Sequence, residues 1–379
     1  MTAEAKPKGG LEDVVATSSG ICFIDGDRGI LAYRGYDIHD LAPKASFEEV
    51  CYLLWHGRLP NRAELGELQS QLSAASPLPD GVVRLMKQLP PSDAMDTLRT
   101  LASALSHYDR DAPDHSPAAN YRKAVRLTAQ MGSLVAAIGR VEQNLGPIDP
   151  DPVLGFAANF LYMLTGKRPD ALGVRAFDCA LVLHADHELN ASTFAARVVA
   201  ATLSDIHSAV VAGIGALKGP LHGGANAEVM KMLLDFGESA APEKVEATIR
   251  ERLAKKEKIP GFGHRVYHTM DPRAVHLRQL SKDLGKRSGQ PHWVEMSERI
   301  ESVVKSEKKL NPNVDFYSAS MYYALGIPVS LYTPIFAVSR TSGWTAHVLE
   351  QFANNRLIRP RAEYTGPPVP QPWVPLEAR

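Results

Sequence analysis

Cysteine is scarce in this sequence and net charge is absent. The 379 residues hold three cysteines, Cys22, Cys51 and Cys179, which are far apart. They have neither the paired spacing of a zinc site nor the density of a disulfide scaffold, and this favours a reducing, intracellular setting. Lys+Arg and Asp+Glu both number 42, so no global field draws the chain to nucleic acid or to an anionic membrane. Any anionic ligand must be met by local clusters of basic residues. Long apolar runs are missing too. The most apolar stretch, residues 195–217, is interrupted by Arg197, Asp205 and His207, which excludes a membrane span and predicts a buried helix. The first ten residues carry Lys6 and Lys8 with no apolar run behind them and no Arg-rich amphipathic pattern, so the expected location is cytoplasmic.

What is present suits a large helical protein. A chain of this length exceeds the size of a single core, and two domains with a cleft between them are expected. Ile21–Ile24 and Ile30–Tyr33 are β-favouring runs around Asp25-Gly26-Asp27-Arg28-Gly29, the pattern of a small hairpin. Ser46 and Glu49 form a capping box ahead of Val50, Leu53 and Leu54, and that helix should stop near Gly57. Ser92 reads as the cap of a helix with Met95, Leu98, Leu101, Ala102 and Leu105 on one face. Residues 121–141 and 155–165 read as further helices, separated by a loop at 146–150 with two prolines. Residues 191–215 are dense in Ala, Ser and Gly, which suits a helix packed on several sides at a subunit interface. The prolines at 367, 368, 370, 372 and 375 predict an extended tail.

Six segments could carry chemistry. His184-Ala-Asp186-His187-Glu188 resembles a metal site, since its histidines would share a face if the segment were helical. A zinc hydrolase needs them four apart with the Glu between, so a polar helix end is the stronger reading. In Gly219-Pro220-Leu221-His222-Gly223-Gly224 the histidine should open a helix whose dipole disfavours imidazolium, leaving a neutral hydrogen-bond donor. Lys258-Ile259-Pro260-Gly261-Phe262-Gly263-His264-Arg265 leads to Asp271-Pro272-Arg273. No strand precedes it and its glycine spacing is not that of a dinucleotide fingerprint. Asp315, in Asn313-Val314-Asp315-Phe316, would by itself be read as a helix cap. Arg340 and the run Arg356 to Arg361 offer guanidinium groups for carboxylates.

In this order the segments HADHE, GPLHGGAN, PGFGHRVYHTMDPR, NPNVDFYS, YTPIFAVSR and IRPR resemble the citrate synthase family. The resemblance runs from about residue 47 to 366. It implies an all-α, two-domain fold with the N-terminal hairpin: a large domain at 1–217 and 329–379, and a small domain at 218–328. It implies an acyltransferase of the tricarboxylic acid cycle that converts its acyl group to alkyl on transfer. Acetyl-CoA condenses with oxaloacetate, and the citryl thioester is hydrolysed to citrate and CoA. Asp315 would take the methyl proton, His222 would hydrogen-bond the thioester oxygen, and His264 would polarise the ketone. His187, Arg273 and Arg340 would bind the 2-oxo acid, with Arg359 supplied by the other subunit of a homodimer. Lys258, Ile259, Pro260, Gly261 and Phe262 would contact CoA. His268 stands where relatives carry Lys or Arg for a CoA phosphate, which would make affinity weaker or more pH-dependent. No metal and no permanently bound cofactor is implied, acetyl-CoA entering as co-substrate. The nearest rival is 2-methylcitrate synthase acting on propionyl-CoA, because one methylene is weakly discriminated. A helical dimer that has lost the reaction is disfavoured by the intact His222, His264 and Asp315. The absence of an added N-terminal domain favours an unregulated dimer over a hexamer.

Overall fold

The computed structural model describes residues 10–11 and 14–379. The chain begins with β1 (Cys22–Asp25) and β2 (Ile30–Tyr33), an antiparallel pair in which Cys22 faces Tyr33 and Asp25 faces Ile30. A third strand, β3 (Tyr36–Asp37), extends the expected hairpin to a three-stranded sheet in the order β1-β2-β3. The tight reversal into it places Arg34 and Gly35 at positive φ. The tip of the hairpin lies on residues 266–270. A Cβ on Gly26 would come 2.0 Å from the Val266 carbonyl oxygen, and one on Gly29 would come 2.9 Å from Thr269.

Helices make up nearly all the remaining regular structure. In order they are α1 (Ile38–Lys44), α2 (Phe47–His56), α3 (Arg62–Ala75), α4 (Asp80–Gln88), α5 (Ala94–Ala104), α6 (Pro117–Glu142), α7 (Phe156–Thr165) and α8 (Ala171–His184). Then come α9 (Ala191–Ala201), α10 (Ile206–Leu217), α11 (Ala225–Phe236), α12 (Pro242–Ala254), α13 (Pro272–Arg287), α14 (His292–Lys308), α15 (Val314–Ala324) and α16 (Tyr332–Ala353). The protein is mostly helical with a small N-terminal sheet. Ser46 and Glu49 form the reciprocal capping box of α2, which ends at Gly57 in the left-handed region. The apolar face of α5 is buried as its spacing implied, but Asp93, not Ser92, is its cap. The aspartate offers the stronger acceptor, one residue closer to the amide of Met95.

The stretch 195–217 is two helices rather than one. Asp205 caps α10 by accepting from Ser208 N–H, and Leu203 in the intervening turn takes a positive φ. A polar side chain that satisfies the free amides of a new helix competes with continuing the old one. Among the described residues no helix is long and apolar enough to cross a membrane. The tail beyond Gly366 is extended and exposed apart from one short turn at Leu376–Ala378.

The long helices α6 and α16 run through the middle of the protein. α16 is buried around its whole circumference, including Ser339, Arg340, Thr341, Ser342, Thr345 and His347. Some of its hydroxyls are satisfied inside the helix, Thr341 Oγ1 donating to Ala337 O at 2.7 Å and Thr345 Oγ1 to Thr341 O at 2.8 Å, while Ser339 Oγ donates to Leu181 O on α8. Gly343 allows the turn after α8 to press on it, since a Cβ there would meet Ala185 O at 2.3 Å. Helices α11 to α15 pack chiefly on one another, meeting the rest through α13 on α8 and α1 and α11 on α16. This brings the loop before α13 and the start of α15 against the end of α8 and the middle of α16.

Two glycine substitutions should separate close approach from helix entropy. Gly26→Ala is expected to cost about 1–3 kcal/mol of stability, because backbone must move. Gly66→Ala, in the exposed middle of α3 with nothing within 4 Å of the new Cβ, is expected to add about 0.5–1 kcal/mol. Denaturant unfolding midpoints check both signs.

Candidate active site

The site is built where the loop before α13 meets the turn that opens α15. Asp271 caps α13, its Oδ1 accepting from Arg273 N–H at 3.1 Å. Its Oδ2 also accepts from Val314 N–H, the first amide of α15, at 3.0 Å. The same carboxylate receives the Arg273 guanidinium as a fork, Nε to Oδ1 at 2.9 Å and Nη2 to Oδ2 at 2.8 Å. Both groups are buried. Burial opposes ionisation of Asp271, but Arg273 outweighs it and holds the carboxyl below its ordinary range. The glycine-rich loop is laced to the same turn. Gly263 N–H bonds Asn311 O at 3.1 Å, Asn313 N–H bonds Gly261 O at 2.9 Å, and Asn313 Nδ2 bonds Gly263 O at 2.9 Å.

Asp315 is not the helix cap that its position suggested. Asn313 caps α15, accepting from Asp315 N–H at 3.0 Å, which leaves the Asp315 side chain uncommitted. Its Oδ1 is buried with no hydrogen-bond partner. Burial raises its pKa to about 7, with Asp271 adding to the rise and Arg273 and Arg340 opposing it. At neutral pH this carboxyl therefore exists in both forms.

His222 lies in the turn between α10 and α11, two residues before the cap of α11 at Gly224, rather than at the helix start. The turn is closed by His222 N–H on Gly219 O at 2.9 Å and Gly223 N–H on Leu217 O at 3.0 Å. The His222 pKa falls to about 4 through burial first and the Arg340 charge second; burial does what had been expected of a helix dipole. Ser192 N–H donates to His222 Nε2 at 3.4 Å, and Ser192 Oγ lies 2.8 Å from the same atom. Ser192 Oγ gives its own proton to Asn190 Oδ1 at 2.7 Å, so Nε2 meets an acceptor at 2.8 Å and a donor at 3.4 Å, and these contacts leave either tautomer available to the neutral ring.

The partners of His264 do fix its tautomer. Its Nδ1 accepts from Val266 N–H at 3.0 Å and Tyr267 N–H at 3.2 Å, so a neutral ring carries its proton on Nε2. Its pKa is lowered to about 4 by burial and then by Arg273, against Asp271. The His187 ring stands 5.3 Å from that of His264. Burial, then Arg273, His264, Arg340 and His222, hold His187 neutral well below its ordinary range. Arg340, on α16, donates Nε–H to His184 O at 2.8 Å, while its Nη1 is buried and unpartnered. Two guanidinium groups thus act on the whole set: Arg340 on His222, His187 and Asp315, and Arg273 on His264, His187 and Asp315.

Other expected residues lie outside this set. Arg359 is exposed beyond α16 and is not brought to the cluster within the chain. Lys258 is exposed and Ile259 buried, while Gly261 and Gly263 have positive φ. A Cβ at Gly261 would meet Phe316 and Val229 at 2.8 Å, so only glycine fits there. His268 is exposed and its Nδ1 lies 2.7 Å from Asp27 Oδ1 on the hairpin. His184 ends α8 and His187 lies past it, so they do not share a helix face. Their partners diverge: His184 Nδ1 bonds Ala180 O at 2.8 Å, Asp186 Oδ2 is 3.2 Å from His347 Nε2, and His187 Nε2 is 3.2 Å from the Tyr267 hydroxyl. Among the described residues no group of three or more His, Cys, Asp or Glu is arranged to hold a metal ion.

Sequence reading missed Ser192, Trp344, Tyr267 and the double role of Asp271. Trp344 Nε1 donates to Ser192 Oγ at 3.1 Å, a contact across 152 positions that no local pattern signals. Asp271 was detectable, because Asp followed by Pro at the first helical position is a helix-start signal.

The raised Asp315 pKa carries a stability cost with a definite sign. Between about 4 and 7 the folded chain binds this proton and the unfolded chain does not, so the contribution of Asp315 to stability falls as pH rises through that window. Asp315→Asn should therefore be more stable than the parent by about 2–4 kcal/mol at pH 8 and nearly equal to it at pH 4, as read from denaturant unfolding at each pH.

The family model described as "Citrate synthase, C-terminal domain" matches residues 10–361. The chain is 57% identical to citrate synthase 2 of Bacillus subtilis over 98% of each chain. It is 52% identical to the citrate synthase of Haloferax volcanii over 95% of this chain and 96% of that one. A citrate/2-methylcitrate synthase of Bacillus subtilis is 45% identical over 94% of this chain and 95% of its own length. Among solved structures, the citrate synthase of Pyrobaculum aerophilum superposes with a TM-score of 0.91 at 42% identity, covering 98% of this chain and 95% of that one. By identity across nearly its full length and by fold, this chain belongs to the citrate synthase family.

Proposed function

We propose that the chain condenses acetyl-CoA with oxaloacetate and hydrolyses the citryl thioester, releasing citrate and CoA. The observation that carries this reading is the buried, unpartnered carboxyl of Asp315 with its pKa near 7, among neutral imidazoles and two guanidinium groups. Removing a proton from carbon needs a base stronger than an ordinary carboxylate, and a donor for the oxyanion that forms as the proton leaves. Asp315 takes the methyl proton of the acetyl thioester. His222, held by Ser192 at Nε2, donates Nδ1–H to the thioester oxygen. His264, held by two amides at Nδ1, donates Nε2–H to the ketone and makes its carbon electrophilic.

Arg273, Arg340 and His187 hold the dianionic acid. The free Nη1 of Arg340 suits a carboxylate, since a buried guanidinium nitrogen without a partner is costly until an anion arrives. Arg359, exposed in this chain, reaches the neighbouring site of a homodimer. Residues 258–262 and His268 meet CoA. No bound cofactor or metal is needed, acetyl-CoA entering as co-substrate. In this reading residues 218–328 form a small domain that closes on one made of 1–217 and 329–379, and the enzyme works in the cytoplasm as part of the tricarboxylic acid cycle. The citrate/2-methylcitrate relative supports a second acyl donor, propionyl-CoA, because one methylene is worth only about 1–3 kcal/mol of discrimination.

Free thiol should appear only when oxaloacetate and acetyl-CoA are both supplied, and rates with acetyl-CoA should exceed those with propionyl-CoA. Thiol released from acetyl-CoA alone would discard the reading. Because Asp315 must be ionised to act, kcat/KM is expected to fall about tenfold per pH unit below about 7. Asp315→Asn should lower kcat by about a thousandfold or more.

The shared site has its own test. Asp315→Asn and Arg359→Ala chains, each inactive alone, should regain activity when refolded together, since one site of each hybrid dimer is then intact. No recovery in isolated hybrids would place Arg359 outside the site.

A further inference from the structure

One buried titratable side chain among these groups has no role so far. Tyr267 is only 4% exposed. Its ring lies 4.7 Å from that of His264 and 5.5 Å from that of His187, with the Arg273 guanidinium carbon 5.8 Å from its centroid. Its hydroxyl is 3.2 Å from His187 Nε2, and among the described residues it has no other hydrogen-bond partner.

We propose that Tyr267 is a positioning residue that fixes the tautomer and orientation of His187. Its hydroxyl donates to Nε2, so the imidazole carries its proton on Nδ1, the nitrogen that no described group of the chain engages. The direction of this bond follows from counting donors. If His187 donated to the phenol oxygen, the phenol proton would be left in a buried place without an acceptor, the costlier arrangement. The phenol does not ionise in the neutral range, because burial pushes its pKa up.

The surroundings keep His187 from taking a second proton. Arg273 from α13, Arg340 from α16, His264 from the loop and His222 from the turn after α10 all act against it. The adjacent carboxylate of Asp186 is turned to His347. His187 is thus a neutral ring whose single proton can sit on either nitrogen, and the Tyr267 hydroxyl is the group that chooses. The main chain of the same residue decides for a second ring, since Tyr267 N–H donates to His264 Nδ1. A Tyr267→Phe chain separates the two effects: it keeps the amide and the ring and removes only the hydroxyl.

The consequence for binding rests on the reading of His187 as a contact of the 2-oxo acid; the tautomer itself does not. In protein with 15N-labelled histidine, the imidazole nitrogens of His187 are expected to show a neutral Nδ1–H ring from pH 8 to pH 6. In Tyr267→Phe they should show a mixed tautomer, still neutral at pH 6. KM for oxaloacetate should rise about 5- to 50-fold at pH 8 with kcat within about threefold. That defect should persist unchanged at pH 6, because the groups that hold His187 neutral are all still in place. A His187 ring protonated on Nε2 in the parent protein overturns the proposal without any variant. A raised KM with the tautomer unchanged also overturns it, since the hydroxyl would then act by packing or direct contact. If neither protein makes citrate, the functional reading fails while the imidazole spectra still decide the role of Tyr267.

Discussion

The buried pair of Asp271 and Arg273 is the interaction on which the rest of the site depends. One carboxylate caps α13, accepts the first amide of α15 and forks with a guanidinium, all with almost no exposure. Without Arg273 it would be an isolated buried charge, which folded proteins rarely hold. Without Asp271 two helix starts would lose an acceptor, and Arg273 would be bare. The pair sets the angle at which the loop 258–271 meets the turn 311–315, and therefore where His264 and Asp315 stand. A plain carboxylate clamp would keep its arginine free. Here Arg273 is half committed to its own chain, which holds it rigid before any substrate carboxylate arrives.

The three proposed reacting groups reach their states by different local devices with a shared logic. Asn313 takes the capping role at α15 and leaves Asp315 Oδ1 buried without a hydrogen-bond partner. Two backbone amides occupy Nδ1 of His264, and the Ser192 amide and hydroxyl occupy Nε2 of His222. For each imidazole the chain engages one nitrogen and leaves the other for a ligand, and at Asp315 it leaves Oδ1 bare. Burial then sets the protonation: it makes the carboxyl a stronger base and keeps both imidazoles neutral.

Much of the fold was legible because it depends on local rules. The capping box of α2, its stop at Gly57, the apolar face of α5 and the extended tail all follow from patterns a few residues long. The errors came where two local rules competed. Ser92 and Asp93 are both good caps, and the neighbours at 313 and 315 both fit the start of α15, so propensity alone could not rank them. The break at 202–205 was hidden because Asp205 was read as a polar interruption within one apolar helix, whereas it caps a new one. At the site, residue types were legible as a set and their partners were not. Ser192 with Trp344, and His187 with Tyr267, are joined by the packing of α16 and of the loop 264–270. Arg359 illustrates a further limit, since a residue proposed to serve a neighbouring subunit lies exposed in its own chain.

A shifted pKa does not by itself distinguish the carboxyl proposed to act as base. Asp178 is also raised to about 7, by burial and then by the charge of Glu48. Its Oδ1, however, accepts from Phe47 N–H at 3.0 Å at the start of α2, and Glu48 Oε1 accepts from Phe156 N–H at 3.0 Å at the start of α7. Those two carboxyls hold helix ends, and their repulsion is a side effect of bringing α2, α7 and α8 together. His184 makes the same point for imidazoles: burial lowers its pKa to about 3 and leaves Nε2 without a partner, yet the ring packs edge-on against Phe336 and its other nitrogen closes a helical turn. Asp315 differs from both in combining a bare oxygen, a raised pKa and two guanidinium groups whose attraction fails to offset its burial. A group kept in that state weakens the fold, and nothing in the packing of α15 requires it. The chain retains a carboxyl there at a cost in stability, which supports the proposal that it is held for chemistry rather than for structure.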